Sequence, residues 1–95
     1  MDLPIAALAA GAAGWRDAHE AVRAGRLVVA QARIERPEDP LFVHAATRAR
    51  DYAREHAAAL ELTPRESVVL WRTYLHAYLR GALDAAGHPL TAEPG

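Results

Sequence analysis

The chain is 95 residues long and has no cysteine, which allows one small domain and excludes disulfide staples and cysteine-based zinc sites. A domain of this size buries a modest share of its unfolded surface, so association with a second copy is the expected support. Eleven arginines, no lysine, five aspartates and seven glutamates give a net charge of −1 with five neutral histidines. That balance speaks against a dedicated nucleic-acid binder, which carries a clear basic excess.

Alanine supplies 23 residues. With lysine absent, the composition reads as a high-GC bacterial gene, and the choice of arginine at any one position is partly genomic. The apolar run Leu3 to Ala13 is about half the length of a membrane span. The chain opens Met1-Asp2 with no positive residue before Arg16, unlike the n-region of a signal peptide, and the expected compartment is the cytoplasm.

Alanine, leucine and arginine favour helix, and the Gly/Pro punctuation divides the chain into three helical segments within a single domain. Helix 1 is predicted over about residues 4–36, starting at Asp2 with Pro4 in its first turn. Ile5, Leu8, Ala12, Trp15, Ala18, Val22, Val29 and Ala32 recur on one face, which marks the predicted inner stripe. Gly25 is a candidate break, and residues 28–34 also alternate like a strand. A lone strand has no partner to pair with, which favours the helix.

Arg36-Pro37-Glu38-Asp39-Pro40 reads as a turn, with Asp39 as N-cap and Pro40 opening helix 2 over about 40–61. Its predicted face is Phe42, Ala45, Ala49, Tyr52, Ala53, His56 and Leu60. Thr63-Pro64-Arg65-Glu66 is a capping box with proline at the first helical position. It opens helix 3 over about 64–86, with Val68, Trp71, Leu75, Tyr78, Leu79 and Ala82 facing inward. Gly87 is placed to close that helix in a left-handed conformation, with Pro89 beyond, and 88–95 reads as a flexible tail. Three helices with the first the longest leave the far end of helix 1 uncovered. The expected architecture is therefore an all-α, intertwined homodimeric bundle.

Most catalytic constellations are missing. No Glu-x-x-His or His-x3-His spacing supports a metal site among the five histidines, and no cofactor is expected. Ser67, the one serine, opens a helix with no histidine nearby in sequence. Gly11 and Gly14 follow no strand, so they form no phosphate cradle. Leu62-Thr63-Pro64-Arg65-Glu66 leaves no room for the recognition helix of a helix-turn-helix. On a wheel of about 100° per residue, Arg26 and Arg33 fall within about 20° of Trp15 on the apolar stripe. Buried charges need partners. Either an anionic ligand meets these arginines, or helix 1 breaks near Gly25 and the phase resets, or they snorkel to a dimer rim.

The layout of long helix, Pro-containing loop, shorter helix, tight Leu-x-Pro turn and third helix resembles the all-helical chorismate mutases and the related isochorismate-pyruvate lyases. The similar stretch runs from Leu62-Thr63-Pro64 through Val69-Leu70-Trp71-Arg72 to Leu75-His76-Ala77-Tyr78-Leu79. The resemblance implies an intertwined homodimer that binds a dicarboxylate with cations from helix 1. Arg23 and Arg33 have nearly the spacing of the family's mid-helix arginine and following lysine, one residue short. The ligand-binding candidates are Arg23, Arg26 and Arg33 on helix 1, with Arg72, His76 and Tyr78 on helix 3. Departures are clear: the stretch Ile5–Ala9 has no arginine, Leu41, Phe42 and Val43 stand where polar residues open helix 2, and Ala82 stands near the late helix 3 glutamine. A pericyclic transition state that needs a cation and a donor at its ether oxygen is then poorly served, which implies altered or lost catalysis. Two functions are expected: a chorismate-mutase-like protein binding a small cyclic or aromatic carboxylate, or a non-catalytic adaptor docking a larger partner through helix 1.

Overall fold

A computed structural model of the chain describes residues 3–27 and 40–87. It contains α1 (Leu3–Arg23), α2 (Pro40–Ala59) and α3 (Pro64–Ala85), and no strand among the described residues. The protein is all-α. No helix among the described residues is long and apolar enough to cross a membrane.

Helix 1 ends earlier than expected, at Arg23 rather than near residue 36. Gly25 takes a left-handed conformation, φ 73°. The Arg26 N–H donates to the Ala21 carbonyl and the Gly25 N–H to the Val22 carbonyl, at 2.9 and 3.1 Å. Those two bonds are a Schellman motif, which satisfies the last carbonyls and stops the helix. The phase therefore resets before Arg26, so Arg26 does not continue the stripe of Trp15. Val29, Ala32 and Arg33 lie outside the described residues, as do the Asp2 and Asp39 caps, Pro89 and the tail.

The other boundaries agree with the sequence to within about two residues. Thr63 accepts the Glu66 N–H at 3.2 Å, and the Glu66 carboxylate accepts the Thr63 N–H at 2.9 Å, forming the capping box. Gly87 closes α3 with φ 84°. Between α2 and α3 the same Schellman pattern recurs, with Leu62 donating to Ala57 and Glu61 to Ala58. There the left-handed position is taken by Glu61, φ 54°.

α3 is the central element: it packs against α1 and α2, which barely meet each other. It runs parallel to α1, since Gly11 faces Thr73, Gly14 faces Tyr74 to Tyr78, and His19 bonds Asp84. It runs antiparallel to α2, where His44 meets Tyr78 and Tyr52 meets Tyr74.

The packed face of α1 corrects the predicted stripe. α1 buries Ala6, Ala10, Ala13, Gly14, Ala18 and Ala21, while Ile5, Leu8 and Trp15 remain 59%, 76% and 38% exposed. Of the predicted stripe within the described residues, only Ala18 is fully buried. The reason is steric: a Cβ at Gly14 would sit 2.5 Å from the Tyr74 carbonyl oxygen, and one at Gly81 3.0 Å from that of Trp15. The two backbones approach too closely for large side chains between them. α3 supplies the bulk instead, burying Leu70, Tyr74, Leu75, Tyr78 and Leu79 against the small faces of both neighbours. α2 buries Ala45, Ala49 and Ala53 as its periodicity predicts, but Leu41 in place of Phe42, and the predicted Phe42, Tyr52, His56 and Leu60 are half-buried. On α3, Val68 is exposed and Trp71 half-buried, whereas the predicted Leu75, Tyr78, Leu79 and Ala82 are buried.

Candidate functional site

Because α1 and α2 diverge over α3, they form the walls of a trough whose floor is Tyr74 and Tyr78. Two recesses occupy it. One, of about 500 Å³, lies between Ala9, Ala12, Ala13, Arg16 and Asp17 of α1 and Arg48, Asp51, Tyr52, Glu55 and His56 of α2, over Tyr74. The other, of about 390 Å³, is lined by Asp17, Glu20, Ala21, Arg26, His44, Arg48 and Tyr78. Asp17 and Arg48 belong to both.

Asp17 is the hub. The Tyr74 hydroxyl donates to its Oδ2 at 2.7 Å, Arg16 Nε lies 3.5 Å from Oδ1, and Arg48 Nη2 lies 4.0 Å from Oδ2. Burial first, then the bond to Asp17 and its charge, hold the Tyr74 phenol well above the ordinary tyrosine range. Asp17 thus accepts from a neutral phenol and is flanked by two guanidinium groups. Those groups keep donors facing solvent, since the Arg16 and Arg48 side chains are 68% and 50% exposed.

The floor is a run of rings. Tyr52 stacks on Tyr74 with centroids 4.7 Å apart and on His56 at 3.9 Å, and Tyr74 stacks on Tyr78 at 5.9 Å. Residues 48, 52 and 56 share one face of α2 at four-residue spacing, which places Arg48, Tyr52 and His56 in a row along the trough. His44, one turn before Arg48, continues that row and pairs its Nε2 with the Tyr78 hydroxyl at 2.8 Å. Burial, then the nearby Arg48 charge, lower the His44 pKa, so the imidazole is held neutral in the recess. Burial likewise raises the Tyr78 and Tyr52 phenols. No buried side-chain polar atom among the described residues lacks a partner.

The structure brings together two of the six candidates from the sequence. Arg26, released from the helix by the Gly25 turn, and Tyr78 both line the second recess. Arg23, Arg72 and His76 are exposed and line neither recess, and Arg33 lies outside the described residues. Sequence reasoning missed Arg16, Asp17, His44, Arg48, Tyr52 and Tyr74. The four-residue spacing of His44, Arg48, Tyr52 and His56 was the available signal, obscured by treating Tyr52 and His56 as core.

On the far side, His19 bridges the Trp15 carbonyl at 3.0 Å and the Asp84 carboxylate at 2.9 Å, tying α1 to α3. No group of three or more His, Asp or Glu among the described residues is placed to hold a metal ion. Comparison of the chain with known protein families, with curated proteins and with solved structures finds no match.

Proposed function

We propose that this is a chorismate-mutase-like helical protein that binds a small cyclic or aromatic carboxylate in the trough between α1 and α2, with altered or lost catalysis. The observation that carries this reading is Arg48. It stands half-exposed at the junction of both recesses, 4.0 Å from its only ion-pair partner among the described residues. A guanidinium so loosely paired keeps a fork of donors for a carboxylate, and the half-buried edge of Tyr52 with the α1 alanines beside it offers contact to an apolar body. Arg48 is thereby added to the arginines expected at the anion site, of which Arg33 lies outside the described residues. We place the protein in the bacterial cytoplasm as a homodimer.

The test is calorimetric titration of the wild type and Arg48→Ala with benzoate, phenylpropanoate and chorismate. Binding that falls at least about tenfold in the variant, the loss expected for a charge-assisted pair, supports the reading. Failure of the wild type to bind any of the three, or an aromatic α-amino acid, at millimolar concentration refutes it.

A second reading, a non-catalytic adaptor that docks a larger partner through helix 1, rests on the start of α1. Leu8 is 76% exposed and Ile5 59%, beside an apolar hollow of about 610 Å³ lined by Pro4, Ala7, Leu8, Gly11, Ala12 and Thr73. Exposed large apolar side chains grouped in this way are typical of contact surfaces. Light scattering on the wild type and Leu8→Glu tests this surface: a wild type that is monomeric at micromolar concentration removes the dimer, and a Leu8→Glu protein that remains dimeric removes this patch from its interface.

A further inference from the structure

The trough carries both signs of charge. Arg16, Arg26 and Arg48 are accompanied along its length by Asp17, Glu20, Asp51 and Glu55. A simple carboxylate is attracted by the first set and repelled by the second. Asp17 is occupied by Tyr74 and the arginines. Asp51 and Glu55, both exposed, have no ion pair or side-chain hydrogen bond within the described structure, yet both line the larger recess.

Their placement relative to Arg48 is specific. Arg48 and Asp51 are three residues apart on α2, so their Cβ atoms are neighbours about 5–6 Å apart on one face. They do not pair with each other, and one offers a cation and the other an anion to the same recess. Two opposite charges carried on a single carbon fit between them. Ala9, Ala12 and Ala13 of α1 line this recess together with Tyr52 and Tyr74, whose rings are stacked. The faces of Tyr52 are covered by Tyr74 and His56, so its ring edge and the alanine methyls are the apolar surface this recess offers.

We infer that the larger recess takes an α-amino acid with a flat apolar side chain: carboxylate on Arg48, ammonium on Asp51, and ring against the alanine methyls and the edge of Tyr52. This inference rests on the carboxylate-binding reading and narrows it to a zwitterion. Glu55, one turn beyond Asp51, adds negative potential at the ammonium end. The same two carboxylates disfavour a ligand without the ammonium, which gives the site selectivity between closely related acids.

The experiment is calorimetric titration of the full chain with L-phenylalanine, phenylpropanoate, phenethylamine and L-alanine, repeated with Asp51→Asn. Phenylalanine is expected to bind at least about tenfold more tightly than each of the other three. Asp51→Asn, at an exposed position, is expected to weaken phenylalanine about tenfold while leaving phenylpropanoate unchanged or tighter. Phenylpropanoate binding as tightly as phenylalanine overturns the zwitterion but leaves the carboxylate site standing. Phenethylamine binding equally well overturns both, because the carboxylate is then idle. L-Alanine binding equally well overturns the ring contact. If phenylalanine does not bind while benzoate or chorismate does, only the present inference falls.

Discussion

The close approach of α1 to α3 sets the position of the trough wall, and Gly14 is the place to test it. A Cβ at Gly14 would lie 2.5 Å from the Tyr74 carbonyl oxygen, 3.2 Å from the Tyr78 nitrogen and 3.3 Å from the Ala77 Cβ. Two of these three atoms are backbone and cannot rotate away. Gly14→Ala must push α1 off α3, and overpacking of this kind costs about 1–3 kcal/mol. Replacing a mid-helix glycine by alanine returns about 1 kcal/mol of helix propensity. A clash against backbone belongs at the upper end of the range, so the net loss is about 2 kcal/mol. For a domain of this size that lowers Tm by roughly 8–16 °C. Gly11→Ala is the control, three residues earlier on the same helix. Its Cβ would meet only Thr73 Cγ2, at 3.4 Å, so the propensity gain of about 1 kcal/mol remains and Tm rises by about 4–8 °C. Thermal melts followed by helical circular dichroism read both. A Gly14→Ala protein that melts at or above the wild type refutes the close parallel packing. So does a Gly11→Ala protein that loses as much as Gly14→Ala.

Three further outcomes are expected. Thr63→Ala removes half of the capping box and costs about 0.5–2 kcal/mol, read as a lowered Tm, with an unchanged melt showing the cap to be idle. Tyr52, Tyr74 and Tyr78 all have phenols raised by burial; their stabilising contribution is complete below the unfolded value of about 10 and is lost as pH rises through the folded values. Phenolate absorbance is therefore expected to appear together with helix loss in alkali, and its full appearance near pH 10 with helices intact contradicts the buried stack. His44 is lowered by burial and Arg48, so its contribution is complete above about pH 6.5 and declines as pH falls toward the lower folded value. His44→Gln is expected to flatten the fall of Tm in that window, and an equal slope in both proteins removes His44 from the titration.

What the sequence made legible was local. The Thr63–Glu66 capping box is written in four adjacent residues, and Gly87 stops α3 by the same local logic. The core face of α2 follows from its four-residue alanine period. The face of α1 was not legible, because hydrophobic periodicity ranks Leu8 and Trp15 above Gly14 and Ala10. Burial in this helix was decided by how near α3 comes, a property of the pair. Gly25 was legible as a possible stop, but only the Schellman bonds to Ala21 and Val22 decide it. The site was least legible of all: the Tyr74–Asp17 bond joins residues 57 apart, and nothing in the local pattern of either helix announces it.

The small residues that made α1 hard to read also produce the trough. An ordinary three-helix bundle closes because each helix carries a wide apolar stripe for the other two. Here α1 and α2 spend narrow alanine and glycine faces on α3, leaving the sides that face each other free for polar groups. α3 pays for neither with charge: it buries Tyr74 and Tyr78, whose rings fill volume and whose hydroxyls reach Asp17 and His44. Tyrosine is suited to this place because its body satisfies the core while its polar tip finds a partner at the edge. The alanine-rich composition, which at first sight reflects only a codon bias, thus determines where a polar cleft opens. Enlarging the α1 face closes or tilts that cleft, so Gly14→Ala is expected to weaken ligand binding along with stability, whereas Gly11→Ala, which leaves the helix in place, is not. A stable Gly11→Ala protein that loses binding as completely as Gly14→Ala breaks this link between packing and site.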